Sequence, residues 1–210
     1  MILHGYWRSG AAYRTRIALN LKGLTYDQRG VDLRTGAHRS AAFVALNPQG
    51  MVPALEIDGA VLTQSPAILE WLEEVHPVPP LLPAGAVDRA HVRAMAALIG
   101  CDIHPLNNLR VGKALRDTFG ADQAAVEAWA ARWILPGFEA LERLVGVHGA
   151  GWCFGAAPTL ADCYLIPQVY SARRFNVPLA AFPRLLAVDA AAAAHPAFLA
   201  ARPDNQPDAD

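Results

Sequence analysis

Apolar residues in the first 75 positions alternate between strand-like and helix-like spacing. Short apolar runs predict four strands, at residues 1–7, 24–32, 54–57 and 61–63. Asp58-Gly59 separates the last two runs, and such a pair between apolar segments is typical of a hairpin turn. Helical spacing predicts a helix over 13–22 and a second one that starts at Ser65-Pro66, with Ser65 as its N-cap.

The order of these elements predicts the fold of the first domain. With a short helix in the polar segment 34–46, the order is β-α-β-(α)-β-β-α, which is that of a thioredoxin-like α/β domain ending at about residue 80. Prolines cluster between 77 and 83 and indicate a linker, placed at 81–87. We therefore expect two domains, a thioredoxin-like one over 1–80 and an all-α one over the alanine-rich, helically spaced residues 88–210.

One helix start stands out in the second half. Thr159-Leu160-Ala161-Asp162 places a hydroxyl and a carboxylate three residues apart, where each can accept a backbone N–H of the helix start. The residues that follow are apolar on every side, which predicts a buried helix. The polar residues 203–210 are expected to form a loose tail.

Composition limits the classes of function. Lys and Arg number 18 against 19 Asp and Glu, so the net charge of −1 shows no basic excess that would favour nucleic acid or an anionic membrane. The N-terminus lacks the order of a signal peptide and the apolar runs are too short to span a bilayer, so we expect a cytoplasmic protein. Cys101, Cys153 and Cys163 lack C-x-x-C spacing; we interpret them as buried small apolar side chains and expect no metal site.

Three positions of the first domain are suited to binding a peptide-like thiol. Pro53 precedes a predicted edge strand, which can pair with an extended ligand. Ser65, at a helix N-terminus, can hold a carboxylate. Ser9, at the start of the first helix, can donate a hydrogen bond to a thiolate and favour ionisation of the thiol. The structural alternatives are a turn proline for Pro53 and a helix cap for Ser9.

Several motifs together resemble the zeta-class glutathione transferases. In the first half they are Trp7–Gly10, Arg14–Leu19, Leu46–Pro53 and Gln64–Ile68, and in the second half Asp102–Asn108, Thr159–Asp162, Pro167–Val169, Ala172–Phe175 and Asn205–Asp208. The resemblance covers essentially the whole chain, in order. It implies the glutathione transferase fold, glutathione as cofactor, and a homodimer. By the same resemblance, glutathione binds to Gln49, Val52, Pro53, Gln64 and Ser65, with His38, Asp102, His104 and Asn108 as further candidates.

The resemblance implies cis–trans isomerisation of a maleyl dicarboxylate, with maleylpyruvate converted to fumarylpyruvate. Glutathione thiolate would add to the cis double bond, the resulting single bond would rotate, and elimination would return the trans product. Ser9 is the expected thiolate donor, and Arg8, Arg110 and Arg174 are expected to bind carboxylates and the enolate charge. The commoner Ser-Ser-Cys pattern reads Ser9-Gly10-Ala11 here, which leaves glutathione as the nucleophile.

Other functions stay open at this point. The same family isomerises maleylacetoacetate, and a general glutathione-conjugating transferase would keep Ser9, Gln64 and Ser65 without needing an arginine cluster. A binding or regulatory protein that lost catalysis is the third alternative. The default interpretation of any single Arg is a solvated charge, and we interpret Arg14 and Arg16 as structural charges of the first helix.

Overall fold

The computed structural model describes residues 1–209, which form two compact units. Unit 1 comprises Met1–Pro80 together with the C-terminal segment that starts at Ala193, and unit 2 comprises Leu81–Ala192. The expected division placed residues 193–210 in the helical domain, which differs from this one; Asp210 lies outside the described residues. The expected linker also differs, because the side chains of Leu81 and Leu82 are only 2% and 3% exposed.

A mixed four-stranded sheet forms the centre of unit 1. Its strands are β1 (Ile2–Gly5), β2 (Asp27–Gly30), β3 (Ala54–Ile57) and β4 (Ala60–Thr63), in the order β2-β1-β3-β4. β1 is parallel to β2 and antiparallel to β3, and β3 is antiparallel to β4. The hairpin turns at Asp58-Gly59, with φ of 46° and 83°, which Asp and Gly tolerate. The predicted hairpin and the thioredoxin-like order are confirmed. The prediction of an edge strand after Pro53 was wrong, because β3 pairs with β1 on one side and with β4 on the other.

The helices of unit 1 connect these strands. α1 (Gly10–Leu21) joins the parallel pair β1 and β2, as the predicted β-α-β unit requires. α2 (Ala41–Leu46) precedes β3, and α3 (Ser65–Val75) follows β4. Lys22, at the end of α1, donates through its buried Nζ to Glu73 of α3 at 2.6 Å and to the carbonyl of Pro79 at 2.7 Å. This paired charge links the two helices to the segment that ends the unit.

Strand register brings four chain segments to the same end of the sheet: those after β1, β2 and β4, and the one before β3. Gly5, the last residue of β1, pairs with Gly30, the last residue of β2. Ala54, the first residue of β3, pairs with His4 of β1 and with Thr63, the last residue of β4. The residues just after β1, just before β3 and just after β4 therefore lie near each other, although they are distant in sequence. These residues include Ser9, Val52 and Gln64.

Unit 2 is helical in the described chain. Its helices are α4 (Ala86–Ala97), α5 (Leu109–Phe119), α6 (Gln123–His148), α7 (Leu160–Arg174) and α8 (Pro183–Ala194), the last of which continues beyond the unit. A π-helical segment Leu98–Ile103 and a 3-10 turn His104–Leu106 connect α4 to α5. A Cβ on Gly100 would lie 2.8 Å from Tyr164 Cε1, so the absence of a side chain lets the π-helical segment pack closely on α7.

Residues 160–169 of α7 are all buried, as the apolar sequence predicts. The predicted capping box is present: Asp162 accepts the Thr159 N–H at 2.7 Å and O–H at 2.9 Å, and the Cys153 N–H at 2.8 Å. Burial raises the pKa of Asp162, and these hydrogen bonds act in the opposite direction. Asp162 thus fixes the start of the central helix of unit 2.

Two further expectations concern cysteines and membranes. Cys153 and Cys163 are buried as predicted, but Cys101 is exposed, so its interpretation as a buried apolar side chain was wrong. Cys101 belongs to the π-helical segment, whose outward face its spacing did not reveal. Within residues 1–209, no helix has the length and apolar character needed to cross a bilayer.

The C-terminal segment packs on unit 1 and is not a loose tail. α9 (Pro196–Ala201) packs against α1, where Asn20 Nδ2 donates to the carbonyl of Ala197 at 2.9 Å. Gln206 is buried, and its Nε2 donates to the carbonyls of Ala200 and Arg202 at 2.9 and 2.6 Å. The expectation of a loose tail was wrong for residues 203–209, because its polar side chains bond to backbone groups instead of to water.

Candidate functional site

Ser9 is the N-cap of α1. Its N–H closes a turn onto the carbonyl of Tyr6 at 2.9 Å, and its Oγ accepts the N–H of Ala12 at 3.3 Å. A hydroxyl that accepts one hydrogen bond still has its own hydrogen to donate. The Ser9 hydroxyl can therefore cap the helix and donate to an anion at the same time, beside the positive end of the helix dipole. The two alternatives posed by the sequence are compatible.

The segment before β3 presents backbone groups to a ligand. The Val52–Pro53 peptide bond is cis, and β3 begins at Ala54, so the N–H and C=O of Val52 lie outside the strand pairing. Buried Asn47 shapes the preceding loop: its Nδ2 donates to the carbonyl of Met51 at 2.6 Å, and its Oδ1 accepts the N–H of Gln49 at 3.1 Å. An extended peptide can pair with Val52 at this position.

Gln64 has an unusual backbone conformation. Its φ of 65° and ψ of 111° lie in a region that side chains other than glycine rarely adopt, at a cost of about 1–3 kcal/mol. Such conformations cluster at ligand sites, where surrounding structure holds them. The Nε2 of Gln64 donates to the Oε1 of Gln49, and both amides are exposed. Gln49 and Gln64, which are separated in sequence, thus form one polar pair on the surface.

Ser65 differs from its prediction as an N-cap. Gln64 occupies the cap position, Ser65 is the first residue of α3, and Pro66 is the second. The buried Ser65 hydroxyl accepts a hydrogen bond from Nη1 of Arg14 at 2.9 Å, so a side chain of α1 uses it. Arg14 therefore orients a hydroxyl at the N-terminus of α3, whereas the sequence indicated only a structural charge on α1.

His38 lies against the loop that precedes Val52. A Cβ on Gly50, whose φ is 60°, would lie 3.0 Å from the His38 carbonyl and 3.5 Å from Arg39 Cδ. Nδ1 of His38 is buried and has no hydrogen-bond partner among residues 1–209. Burial first, and then the positive charge of Arg39, lower the pKa of His38, so its imidazole is neutral at neutral pH. A neutral ring with an unsatisfied nitrogen is suited to one hydrogen bond with a ligand.

These groups fit the chemistry of glutathione. The backbone of Val52 can pair with the central peptide of the ligand, and the N-terminus of α3 with Gln64 and Ser65 can hold a terminal carboxylate. The unsatisfied Nδ1 of His38 offers a further hydrogen bond, and the Ser9 hydroxyl can donate one to a sulfur. Ser9, Val52, Pro53, Gln64 and Ser65 come to the same end of the sheet because of strand register.

We expect Ser65→Ala to weaken glutathione binding by about tenfold or more, since a hydrogen bond to a carboxylate contributes about 1.5–3 kcal/mol and the substitution also removes the acceptor of Arg14. Titration calorimetry measures this change. At saturating glutathione the turnover should stay within about threefold of the original, because Ser65 is expected to act on binding alone. An unchanged dissociation constant would remove Ser65 from the ligand site.

Four further candidates lie in unit 2, between residues 102 and 110. Asp102 is exposed in the π-helical segment, and His104 begins the 3-10 turn. Asn108 is the N-cap of α5, with Oδ1 accepting the N–H of Val111 at 3.2 Å. Arg110 is exposed in the first turn of α5 and lines an open groove of 590 Å³ formed mainly by Pro105, Leu106, Val111, Leu115 and Trp129.

The other two candidate arginines lie at the ends of elements. Arg174 is the last residue of α7, exposed, with its guanidinium carbon 6.0 Å from the centroid of the Tyr170 ring. Arg8 precedes Ser9 and lies 5.3 Å from the ring centroid of Trp7. Arg174 is exposed and Arg8 is partly exposed, and an aromatic ring lies near each guanidinium. Both guanidinium groups can therefore be reached by a carboxylate.

Three residues that were not predicted as site residues bond to the segments that carry the candidates. Arg14 orients Ser65, Asn47 shapes the loop before Val52, and Asp208 accepts the N–H of Trp7 at 2.9 Å. The motif that resembles known proteins included Asp208 and Arg14, but that signal did not separate functional from structural roles. Only the folded contacts assign them.

The chain matches known proteins along its length. A family model described as the N-terminal domain of glutathione S-transferases matches residues 8–75. A maleylpyruvate isomerase from Ralstonia sp is 55% identical over 99% of both chains. A maleylacetoacetate isomerase from Pseudomonas aeruginosa is 53% identical over 99% of this chain and 98% of its own.

Solved structures agree with these matches. A holo maleylpyruvate isomerase, described as a bacterial glutathione S-transferase of the zeta class, is 55% identical with a TM-score of 0.98 over 100% of both chains. A maleylacetoacetate isomerase from Anaeromyxobacter dehalogenans, with dicarboxyethyl glutathione and citrate bound in its active site, is 46% identical with a TM-score of 0.89 over 99% of this chain and 96% of its own. This chain belongs to the glutathione transferase family, in the zeta class that contains the maleylpyruvate and maleylacetoacetate isomerases.

Proposed function

We propose that this protein is a glutathione-dependent isomerase that converts maleylpyruvate to fumarylpyruvate. The observation that carries the proposal is the Ser9 hydroxyl, which caps α1 and keeps a hydrogen to donate at the sheet edge that presents Val52 and Gln64. The 55% identical relative from Ralstonia sp carries the name of this activity. The groups of Ser9, Val52 and Gln64 that suit a thiol ligand and the name of this relative support the same reaction.

Glutathione, when bound, would supply the thiolate that adds to the cis double bond and is eliminated after rotation. Ser9 donates its hydroxyl hydrogen towards the sulfur position, and the N-terminus of α1 adds a favourable dipole. Both effects favour the ionised thiol at neutral pH. Gln49, Gln64 and Ser65 would hold the peptide of glutathione, and Ser9 would hydrogen-bond to its sulfur.

Arginines supply the charge that a dicarboxylate needs. Addition to the double bond transfers negative charge to the carbonyl-bearing part of the substrate, and a fixed cation stabilises that charge more than the ground state. We assign carboxylate binding to Arg110 and Arg174, and stabilisation of the developing charge to Arg8, which adjoins Ser9 in the chain. The relative with dicarboxyethyl glutathione holds a dicarboxylate carbon skeleton joined to glutathione, which supports thiol addition as the chemistry of this family.

A protein thiol has no part in the proposed reaction. Gly10 and Ala11 follow Ser9 as the first two residues of α1, and the three cysteines of the chain are at positions 101, 153 and 163, all in unit 2. Burial and the Asp162 carboxylate raise the pKa of the Cys153 thiol, which keeps it protonated. We therefore assign the nucleophile to glutathione, because the two residues that follow Ser9 carry no thiol.

The test follows the loss of maleylpyruvate absorbance with and without glutathione, and of maleylacetoacetate in parallel. We expect turnover that requires glutathione and is faster with maleylpyruvate. Faster turnover of maleylacetoacetate would establish the second candidate, which the 53% identical relative from Pseudomonas aeruginosa favours. No isomerisation of either, together with conjugation of glutathione to a small electrophile, would replace the proposal by a conjugating transferase.

The assembly and location proposed with this function are a homodimer in the cytoplasm. The family resemblance supports both.

A further inference from the structure

The C-terminal segment accepts a hydrogen bond from the turn that carries Arg8 and Ser9. Ser9 N–H bonds to the carbonyl of Tyr6, so Trp7 and Arg8 are the central residues of a turn between β1 and α1. The carboxylate of Asp208 accepts the N–H of Trp7 at 2.9 Å through Oδ2. A residue 201 positions further along the chain thus satisfies the first central N–H of the turn.

Asp208 is itself fixed by its surroundings. Its other oxygen, Oδ1, accepts Nε2 of Gln28 of β2 at 3.0 Å. Gly30, also in β2, leaves room for it: a Cβ there would lie 3.1 Å from Cβ and 3.3 Å from Oδ2 of Asp208. Both carboxylate oxygens therefore have a donor on unit 1, and the closest approach is made possible by a glycine.

The carbonyl of Trp7 is held as well. Arg16 of α1 is fully buried, and its Nη2 donates to the Trp7 carbonyl at 2.9 Å. Its Nε donates to the carbonyl of Ala201, the last residue of α9, at 3.0 Å. One guanidinium therefore joins the turn to the C-terminal segment, and both polar backbone groups of Trp7 are bonded to groups other than their own turn.

The polar residues before Asp208 help to fix its position. Asn205 Nδ2 donates to the carbonyl of Leu199 at 2.7 Å, and Gln206 donates to the carbonyls of Ala200 and Arg202. Ala209 N–H bonds to the carbonyl of Gln206 at 3.0 Å. These bonds fold the segment back on α9, so that Asp208 reaches the turn at a defined place.

We infer that Asp208 is a positioning residue for catalysis, which sets the Trp7–Ser9 turn and through it the direction of the Ser9 hydroxyl. The inference rests on the proposed role of Ser9 as the hydrogen-bond donor to the glutathione thiolate. Asp208 contacts neither sulfur nor substrate in this role. Its action is geometric, since a small displacement of a donor from its acceptor lowers the rate strongly.

The first test is Asp208→Ala, with Asp204→Ala as the matched control. Asp204 is in the same segment and carries the same charge, but its Oδ2 lies 3.7 Å from Nη2 of Arg202 at the surface. For Asp208→Ala we expect kcat to fall about tenfold, with the KM for glutathione within about threefold. The pKa of the bound glutathione thiol, read from thiolate absorbance against pH, should rise by about 0.5–1 unit. Asp204→Ala should change none of these.

A conservative variant separates geometry from charge. Asp208→Asn keeps an oxygen that can accept the Trp7 N–H, and the amide of Gln28 can turn to accept from the new side chain. We expect Asp208→Asn to keep kcat within about threefold of the original protein. A loss as large as that of Asp208→Ala would overturn the geometric role.

The decisive test combines Asp208→Ala with Ser9→Ala. If Asp208 acts through Ser9, its replacement should change kcat by less than about twofold and the thiol pKa by less than about 0.3 unit in the Ser9→Ala background. Equal changes in both backgrounds would show that Asp208 acts independently of Ser9 and would overturn the inference. The thiol pKa needs only bound glutathione, so this comparison decides the inference even where maleylpyruvate proves not to be the substrate.

Discussion

Replacing Ser9 with alanine is expected to lower the isomerisation rate by about tenfold to a hundredfold, because a hydrogen bond to a charged partner contributes about 1.5–3 kcal/mol. The Oγ of Ser9 accepts the Ala12 N–H and keeps its hydrogen for the sulfur, so the substitution removes the donor. The pKa of the bound glutathione thiol should rise by about 1–2 units. Steady-state kinetics and thiolate absorbance against pH measure the two effects.

Ser40→Ala is the matched control for Ser9→Ala. Ser40 is the N-cap of α2, and its hydroxyl accepts the Phe43 N–H at 3.3 Å, the same distance as in the cap of α1. Each variant should lose about 1 kcal/mol of stability as a lost cap, measured by denaturant unfolding. Only Ser9→Ala should change the thiol pKa. Equal thiol pKa values in both variants would reduce Ser9 to a helix cap.

Arg174→Ala is expected to lower kcat/KM for the dicarboxylate by about 30-fold to a thousandfold while glutathione still binds. Removing one partner of a hydrogen-bonded charge pair in a binding site typically costs 2–4 kcal/mol or more, which corresponds to that range. Arg174 is the exposed last residue of α7, whose residues 160–169 are buried, so its backbone is anchored while its guanidinium stays open to a ligand. Kinetics with varied dicarboxylate at saturating glutathione measure the loss, and calorimetry measures glutathione affinity.

The neighbouring arginine controls for charge. Arg173 is also exposed, and its Nη2 donates to Asp189 of α8 at 2.6 Å. Arg173→Ala should leave kcat/KM within about twofold, since an exposed ion pair contributes at most about 1 kcal/mol to stability and has no assigned substrate contact. Arg174→Lys should recover only part of the rate, because an ammonium lacks the bidentate geometry of guanidinium. Unchanged turnover in Arg174→Ala would exclude Arg174 from the site.

Local sequence was a reliable guide to individual elements of unit 1. The Asp58-Gly59 hairpin and the position of Pro53 before β3 depend on a few adjacent residues, and both are present. The capping box at Thr159 and Asp162 follows the same rule. α1 begins at Gly10, three residues before the helix predicted over 13–22. Turn and cap chemistry is local, so it is legible before the fold is known.

Errors arose where a side chain bonds across a long sequence distance. Ser65 was predicted as an N-cap, but the hydroxyl accepts a hydrogen bond from Arg14, 51 positions earlier. The tail was predicted to be loose, but Asp208 bonds to Trp7. Polar residues near the end of a chain have the composition of a disordered segment, and nothing in that composition reveals a partner on another element.

By itself the sequence determined the order of the elements, the family through its joint motifs, and the residue types that chemistry at this site requires. The tertiary structure decided which backbone groups those residues serve: Arg14 for Ser65, Asp208 and Arg16 for Trp7, and the left-handed backbone of Gln64. Spacing along a chain reports periodicity and caps, whereas partners on different strands and helices are set by register and packing. The Ser9 donor is therefore predictable as a residue, and its direction is a property of the folded sheet edge and of the C-terminal segment.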